Sequence, residues 1–441
     1  MKRPAGQVAW TSVVNVVVSG LAGVTGLVVA RYLGASDRGI LAAAFAWFLL
    51  MLSLSDFGLQ FGVTYFSARE PTHVRRVLRA GLVLFSLTGL LAMALLMMVL
   101  WFSHRQGSIY SAAVLPFAIL APVAMVGYLP VAILQGLSIA RWNLARVSQP
   151  LFYIAGLAGL FVAGNLTLMS AISAYCASLV LMIVFTFALT VRPIQRAEKG
   201  HDDAPYSFHD SYMRDLASFG IRNFPSSIPS AIYPRLDVLV LAWFTTAASV
   251  GEYAVAATIA GLSSPVAAAF ANLALPSIAS IEATADVRHA REVANKAIVS
   301  AGRVSVAASV LLALIAPWAS SMMLGPGYPS TGRIAVVICA AQPFLAVSGV
   351  MRSVLRGLNS PGRATGPEIV ALLVFALALV VGVPALGVWG AAVATVLGAA
   401  TGAAAYAVVL RRVWARRQAS EGDERLPAAV EKAASRDETS S

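Results

Sequence analysis

Charge is what this chain has least of. Only 12% of its 441 residues are charged, 59% are hydrophobic, and the mean hydropathy is +0.77. A soluble domain usually carries about 25% charged residues, so an ordinary water-soluble globule is excluded. Lysine is scarcer still: Lys2, Lys199, Lys296 and Lys432 are all there are. None follows a glycine-rich turn, so the Gly-x-x-x-x-Gly-Lys-Ser/Thr phosphate loop is missing and no ATPase of the chain's own is expected. Cys176 and Cys339 lie in separate apolar runs, which excludes a disulfide framework. The histidines, His73, His104, His201, His209 and His289, fall in loops at no metal-ligand spacing. No metal, no cofactor and no catalytic residue is therefore expected, and the chain is read as a non-enzyme. A cleavable signal peptide is also missing from this reading, because Lys2 and Arg3 lead straight into a full-length span with no small-residue cleavage site.

What is present is apolar sequence in lengths of about 20 residues, enough to cross a bilayer as helix. The reading is an all-α polytopic membrane protein with spans near 8–31, 39–67, 79–102, 111–136, 147–164, 168–191, 216–244, 249–277, 295–316, 334–356, 367–384 and 387–410. Twelve spans put both termini on one side. Basic residues gather in the loops of that side, among them Arg75, Arg76, Arg141, Arg146, Arg192, Arg196, Arg352 and Arg356, and they flank both termini. The opposite loops hold only Arg31, Arg38, Arg105 and Arg333. Both termini are thus expected in the cytoplasm, with the protein multi-pass in the cell membrane. The net charge of +12 follows from these orienting residues and requires no nucleic acid.

The longest internal polar segment, 192–215, separates six spans from six. The expected division is a six-helix lobe over 1–191, a cytoplasmic loop over 192–215, a second lobe over 216–412 and a disordered cytoplasmic tail over 413–441. A weak repeat supports it. "ARYLGASDRGILAAA" (30–44) aligns without gaps on "AWFTTAASVGEYAVA" (242–256), an offset of 212 that pairs Gly39 with Gly251, and "LQGL" (134–137) resembles "LRGL" (355–358). Transporters commonly place a substrate between such repeats.

Several acids lie in or beside spans. Glu252 in "SVGE" and Glu368 in "TGPE" read as capping boxes, and Asp37 after Ser36 as a helix start. Asp56 and Asp237 do not. Asp56 lies deep in span two with Gln60 one turn on, and Asp237 is ten residues before Ala247, roughly 15 Å below the surface. Both are candidates for ion coupling, since intramembrane ionisable residues are functional by default. Span seven also carries Arg222, Pro225, Pro229, Pro234 and Arg235. At about 100° per residue, Arg222, Ser226, Tyr233 and Asp237 fall within about 60° of one another and are expected to line a cavity. Arg235 is about 200° from Asp237, so the two face different neighbours, and which faces the cavity is open. The three prolines are hinge candidates. In span one, Thr11, Asn15 and Ser19 share a face, and Asn15 is taken as a further cavity candidate.

"VARYLGASDRGILAAAFAW" (29–47), "DFGLQFGVTYFSAR" (56–69), "LQGLSIARWNLARVSQP" (134–150), "PRLDVLVLAWFTTAASVGEYAVA" (234–256) and "LRGLNSPGRA" (355–364) resemble the Wzx-like polysaccharide flippases of the multidrug/oligosaccharidyl-lipid/polysaccharide exporter superfamily. The resemblance extends to about residue 412. It implies two six-helix lobes around a central cavity that alternates between the faces of the membrane. It implies a polyprenyl-diphosphate-linked oligosaccharide as cargo, moved from the cytoplasmic to the outer leaflet for cell-surface polysaccharide synthesis. Membrane lipids and polysaccharide assembly proteins are the partners it suggests. On this sequence the cationic, polar cavity character falls on Arg222, Arg235 and Asp237. A drug or cation exporter of the same superfamily is the alternative; it is expected to use cavity acids, commonly one in span one, where this chain has none. A non-transporting scaffold is the other.

Overall fold

The computed structural model describes residues 5–105, 111–198, 210–282, 287–358 and 360–437. Within them the backbone is helix, as lipid demands of an apolar chain: only a helix or a closed barrel satisfies every N–H and C=O without water. The helices in chain order are α1 (Ala5–Ser55), α2 (Leu59–Arg69), α3 (Val74–Arg105), α4 (Ser111–Leu137), α5 (Ile139–Val162), α6 (Leu168–Glu198) and α7 (Asp210–Phe244). There follow α8 (Ala247–Gly261), α9 (Ser264–Glu282), α10 (Val287–Leu324), α11 (Thr331–Cys339), α12 (Gln342–Gly357), α13 (Thr365–Leu386) and α14 (Val388–Asp437).

These helices account for twelve traverses in two six-helix lobes. The first two are joined in α1, turned at Gly34, whose φ of 79° a residue with a side chain adopts only under strain. The second traverse continues from α1 into α2, the eighth consists of α8 and α9, and the tenth of α11 and α12. Among the described residues, nine stretches are long and apolar enough by themselves to cross a membrane. The α7 helix is not one of them, because its hydroxyls, prolines and charges dilute its apolar length. Part of the expected inter-lobe loop, 199–209, lies outside the described residues, and so does 438–441. Where the composition after 412 suggests a disordered tail, α14 runs on to Asp437, through a segment rich in the good helix formers Ala, Glu and Arg.

The lobes meet at small residues, which let backbones approach. A Cβ added to Gly39 would run into the carbonyl of Ala247, and one added to Gly251 into the carbonyl of Ala35. Ala35 and Ala247 are separated by the same 212 residues as Gly39 and Gly251. The contact is therefore reciprocal, as a two-fold relation between repeats requires. It lies at the end of the bundle away from the termini, the far end. There Tyr328 also donates to the Ala30 carbonyl at 2.7 Å, and Arg31 to that of Met323.

At the end nearer the termini a different edge is tied. Gly58 and Gly220 press together backbone to backbone, Tyr65 stacks on Phe219 at 4.8 Å, and the Tyr212 hydroxyl donates to Glu70 at 2.6 Å. These contacts join α2 to α7, the first lobe to the second.

Candidate functional site

Between α2, α4 and α7 lies a cavity of about 570 Å³, lined by Asp56, Gln60, Gln135, Asn223, Ser227 and Arg235 among others. Its position follows from two irregular elements. Asp56, Phe57 and Gly58 break the second traverse into turns, with Phe57 at φ 45° and Gly58 at φ 73°. Asp56 still donates its N–H to the Leu52 carbonyl, the last rung before the break, and its carboxylate lies beside the Gln60 side chain and the amides of Gly58 and Gln60. Asp56 is only 8% exposed, and its Oδ1 has no partner. Sequence periodicity placed Asp56 inside a continuous helix; the positive φ of Phe57 and Gly58 is what removes it from one.

The second element is α7, which stays helical through Pro225, Pro229 and Pro234. Several of its polar side chains bond back to the helix's own carbonyls. Ser226, Ser227 and Ser230 donate to the carbonyls three residues behind them, and Arg235 to that of Ala231 four behind. The three prolines lie within one unbroken helix.

Arg235, not Asp237, faces the cavity. Its Nε is shielded and unpartnered, and no ion pair joins it to Asp56 although both line the same space. Asp237 points instead into the second lobe. It accepts from Tyr253 at 2.7 Å and from its neighbour Val238 N–H at 2.8 Å, and Thr395 lies 3.0 Å from the same tyrosine hydroxyl. The stripe expected to line the cavity is thereby corrected. Arg222 and Ser226 are exposed, while Tyr233 faces a separate cavity of about 250 Å³ inside the second lobe, its ring 4.5 Å from Phe375. The lining face is Phe219, Asn223, Ser227, Ser230 and Arg235, a polar run at helical spacing that the sequence shows equally well. Asn15 is half-buried with an unpartnered Oδ1, and it is not among the lining residues of the described cavities.

The residues read as helix caps do other work. Thr246 caps α8, accepting from Ser249 N–H, while Glu252 reaches the start of α11 and accepts from Ser330 N–H at 2.8 Å. Glu368 pairs with Arg352 at 2.9 Å and accepts from Tyr406 at 3.0 Å. Gln60 lines the central cavity beside Asp56, one turn on as the sequence places it; periodicity missed Gln135 and Asn223, which line it too, and it assigned Arg38 to a loop although the side chain turns into the first lobe. Amides inside apolar runs were the available signal.

Chemically, the central cavity offers one fixed cation, a carboxylate and several amides and hydroxyls in a space large enough for a small-molecule ligand. Its rim is aromatic: Phe61 and Tyr65 are 55% and 39% exposed. The whole is a polytopic helical bundle with a polar cavity between two lobes. The sequence matches the family described as polysaccharide biosynthesis protein over residues 5–282, and the chain belongs to that family.

Among solved structures it is similar to an inward-facing multidrug resistance MATE family transporter of the MOP superfamily. That match has a TM-score of 0.75 at 15% identity and covers 92% of this chain and 99% of the other. The outward-facing conformation of a transporter so described gives 0.64 at 14% identity, over 93% and 96%. Lipid II flippase MurJ in an inward closed conformation gives 0.66 at 14%, over 91% and 87%. No curated protein matches the chain by sequence. The fold is that of these transporters, and the protein is a multi-pass membrane protein.

Proposed function

We propose that the protein moves a polyprenyl-diphosphate-linked oligosaccharide from the cytoplasmic to the outer leaflet of the cell membrane by alternating access. The observation that carries this is Arg235, a cation with no acid partner among the described residues, set among amides in the cavity between the lobes. A diphosphate crosses hydrocarbon only where a fixed cation replaces its hydration, and a guanidinium matches its oxygens. Gln60, Gln135 and Asn223 suit sugar hydroxyls, and the exposed rings of Phe61 and Tyr65 suit sugar faces. The prenyl tail stays in lipid.

The loop arginines support cytoplasmic termini. With that orientation, the glycine contacts at the far end close the cavity to the outside, and the likeness to an inward-facing transporter agrees. The lobes in this reading divide at 1–191 and 216–412. A potential negative inside drives an anion outward by about 2.3 kcal/mol per charge per 100 mV, so no nucleotide is required. If an ion is coupled, Asp56 is the better candidate, because it faces the cavity while Asp237 is held by Tyr253. Polysaccharide assembly proteins would act on the delivered product.

The test is the sidedness of polyprenyl-diphosphate-linked sugars in cells depleted of this protein and supplied with wild type or Arg235→Gln. Wild type clearing an inner-leaflet backlog that the equally abundant variant leaves is the expected result. A backlog cleared equally by both would refute a role for Arg235. The same unpartnered Asp56 favours a second reading, export of a cationic drug, in which Asp56→Asn abolishes cation efflux and depletion leaves no lipid-linked backlog. A scaffold would tolerate both substitutions.

A further inference from the structure

The central cavity does not end the polar interior of the first lobe. Gln60 and Gln135 also line a second cavity of about 370 Å³, in which Arg146 stands over the ring of Trp142 at 4.6 Å. Gln149 and Tyr175 are shared between that space and a third of about 190 Å³, which contains Arg38. Three adjoining cavities thus lead from Arg235 past Arg146 to Arg38, through side-chain amides.

Arg38 follows the Gly34 turn by one helical turn, near the far end of the bundle. It counts among the orienting charges of a loop only until its direction is known; the side chain enters the space between α1, α5 and α6. Its Nε is out of solvent and makes no hydrogen bond. The hydroxyl of Tyr153, a residue only 7% exposed in the same cavity, makes none either. No carboxylate among the described residues reaches Arg38 at ion-pair distance. Shielded donors left without acceptors are rare in native proteins, and each calls for a reason. Here two of them, one on a cation, share one cavity.

We propose that Arg38, Gln149 and Tyr153 form a second anion site that takes a phosphate or diphosphate group. The space is below the ~300 Å³ at which small-molecule pockets begin, so it admits a phosphate group and excludes a saccharide. The site rests on the reading that the cargo is anionic and is first received at Arg235. Arg38 is then where the phosphate is held near the far end of the route, while the sugar remains in the wider space.

Calorimetric titration of the full-length protein in detergent tests this, with inorganic pyrophosphate and geranyl diphosphate as probes and geraniol as the uncharged control. Wild type is expected to bind two equivalents of diphosphate probe and no geraniol. Arg38→Gln should retain one equivalent, Arg235→Gln the other, and Tyr153→Phe should weaken only the Arg38-dependent one, by about threefold to tenfold. Arg38→Lys, which keeps the charge, should keep the second equivalent at reduced affinity. Equal binding of both probes identifies a free-phosphate site; tighter binding of geranyl diphosphate identifies a lipid headgroup site. A single equivalent in wild type that Arg38→Gln leaves intact and Arg235→Gln removes overturns the Arg38 site while leaving the proposed function standing. Loss confined to Arg38→Gln keeps the Arg38 site and refutes reception at Arg235. No binding of either diphosphate by wild type overturns both.

Discussion

The two interiors of this protein treat charge in opposite ways. In the second lobe the acids are tied: Asp237 to Tyr253, Glu252 to the Ser330 amide just before α11, Glu368 to Arg352 and Tyr406. In the first lobe and the central cavity, Arg38, Arg146 and Arg235 stand without a carboxylate at ion-pair distance among the described residues. Burying an ion costs several kcal/mol unless a partner compensates. The second lobe meets that cost within itself, which is how a rigid structural element is built. The first lobe and the cavity leave it unmet among the described residues, which is what the proposed anion sites require.

The comparison breaks most sharply at Arg235. Removing an uncompensated charge should not destabilise the fold, so Arg235→Gln is expected to unfold at or above the wild-type temperature and yet transport about 100-fold more slowly. Thermal denaturation beside a flipping assay in proteoliposomes reads both quantities. A variant that is both unstable and inactive would mean that Arg235 is structural.

The second lobe should respond in reverse. Glu368→Gln strands Arg352, and a loss of about 2 kcal/mol is expected, less than the ~3–5 of a fully buried pair because the Arg352 side chain is 36% exposed. Arg352→Met added to Glu368→Gln should recover most of it. Failure of the double variant to recover would show that Glu368 acts through Tyr406 rather than through its charge.

Gly39→Ala and Gly251→Ala test the junction between the lobes. Each methyl would meet a facing carbonyl, so losses of about 1–3 kcal/mol are expected, equal within error because the contacts are reciprocal. One harmless and one damaging substitution would refute the two-fold packing.

The smallest effect should come from the tie between α2 and α7. Tyr212→Phe removes one hydrogen bond to Glu70, worth about 1 kcal/mol in chemical denaturation. Burial, followed by the bond to Glu70, pushes the Tyr212 phenol up to about 12. Its proton is held more tightly in the folded state, so the contribution is complete below the ordinary tyrosine pKa of about 10 and is lost as pH rises through about 12. A contribution that falls away below pH of about 9 would place the tie on another group.

Much of the architecture was legible from length and apolarity. The twelve traverses and the six-plus-six lobes follow from runs of about 20 apolar residues, since a bilayer leaves such runs no option but helix. Even the alignment that pairs Gly39 with Gly251 identifies two residues that pack on each other. Periodicity also established that Arg235 and Asp237 face different neighbours. It left open which one faces the cavity, because angles along a helix are relative and fix no absolute phase. In a soluble helix the apolar stripe supplies that phase by facing the core. In α7 both lipid and protein are apolar surroundings, so the stripe of Arg222 and Asp237 and the stripe of Asn223 and Arg235 were equivalent until α2 and α4 were placed.

The sequence by itself determined what must be helix, how many times the chain crosses, and which residue types the interior has to accommodate. Only the tertiary structure decided their partners. It gave Glu368 to Arg352 rather than to its own helix start, and Glu252 to α11 rather than to α8. It broke the second traverse at Phe57 and Gly58, so that Asp56 enters the cavity, and it turned Arg38 inward from where a loop charge was expected. The reason is physical: crossing a bilayer depends on each segment's own free energy, whereas compensating a buried charge depends on whichever helix arrives beside it.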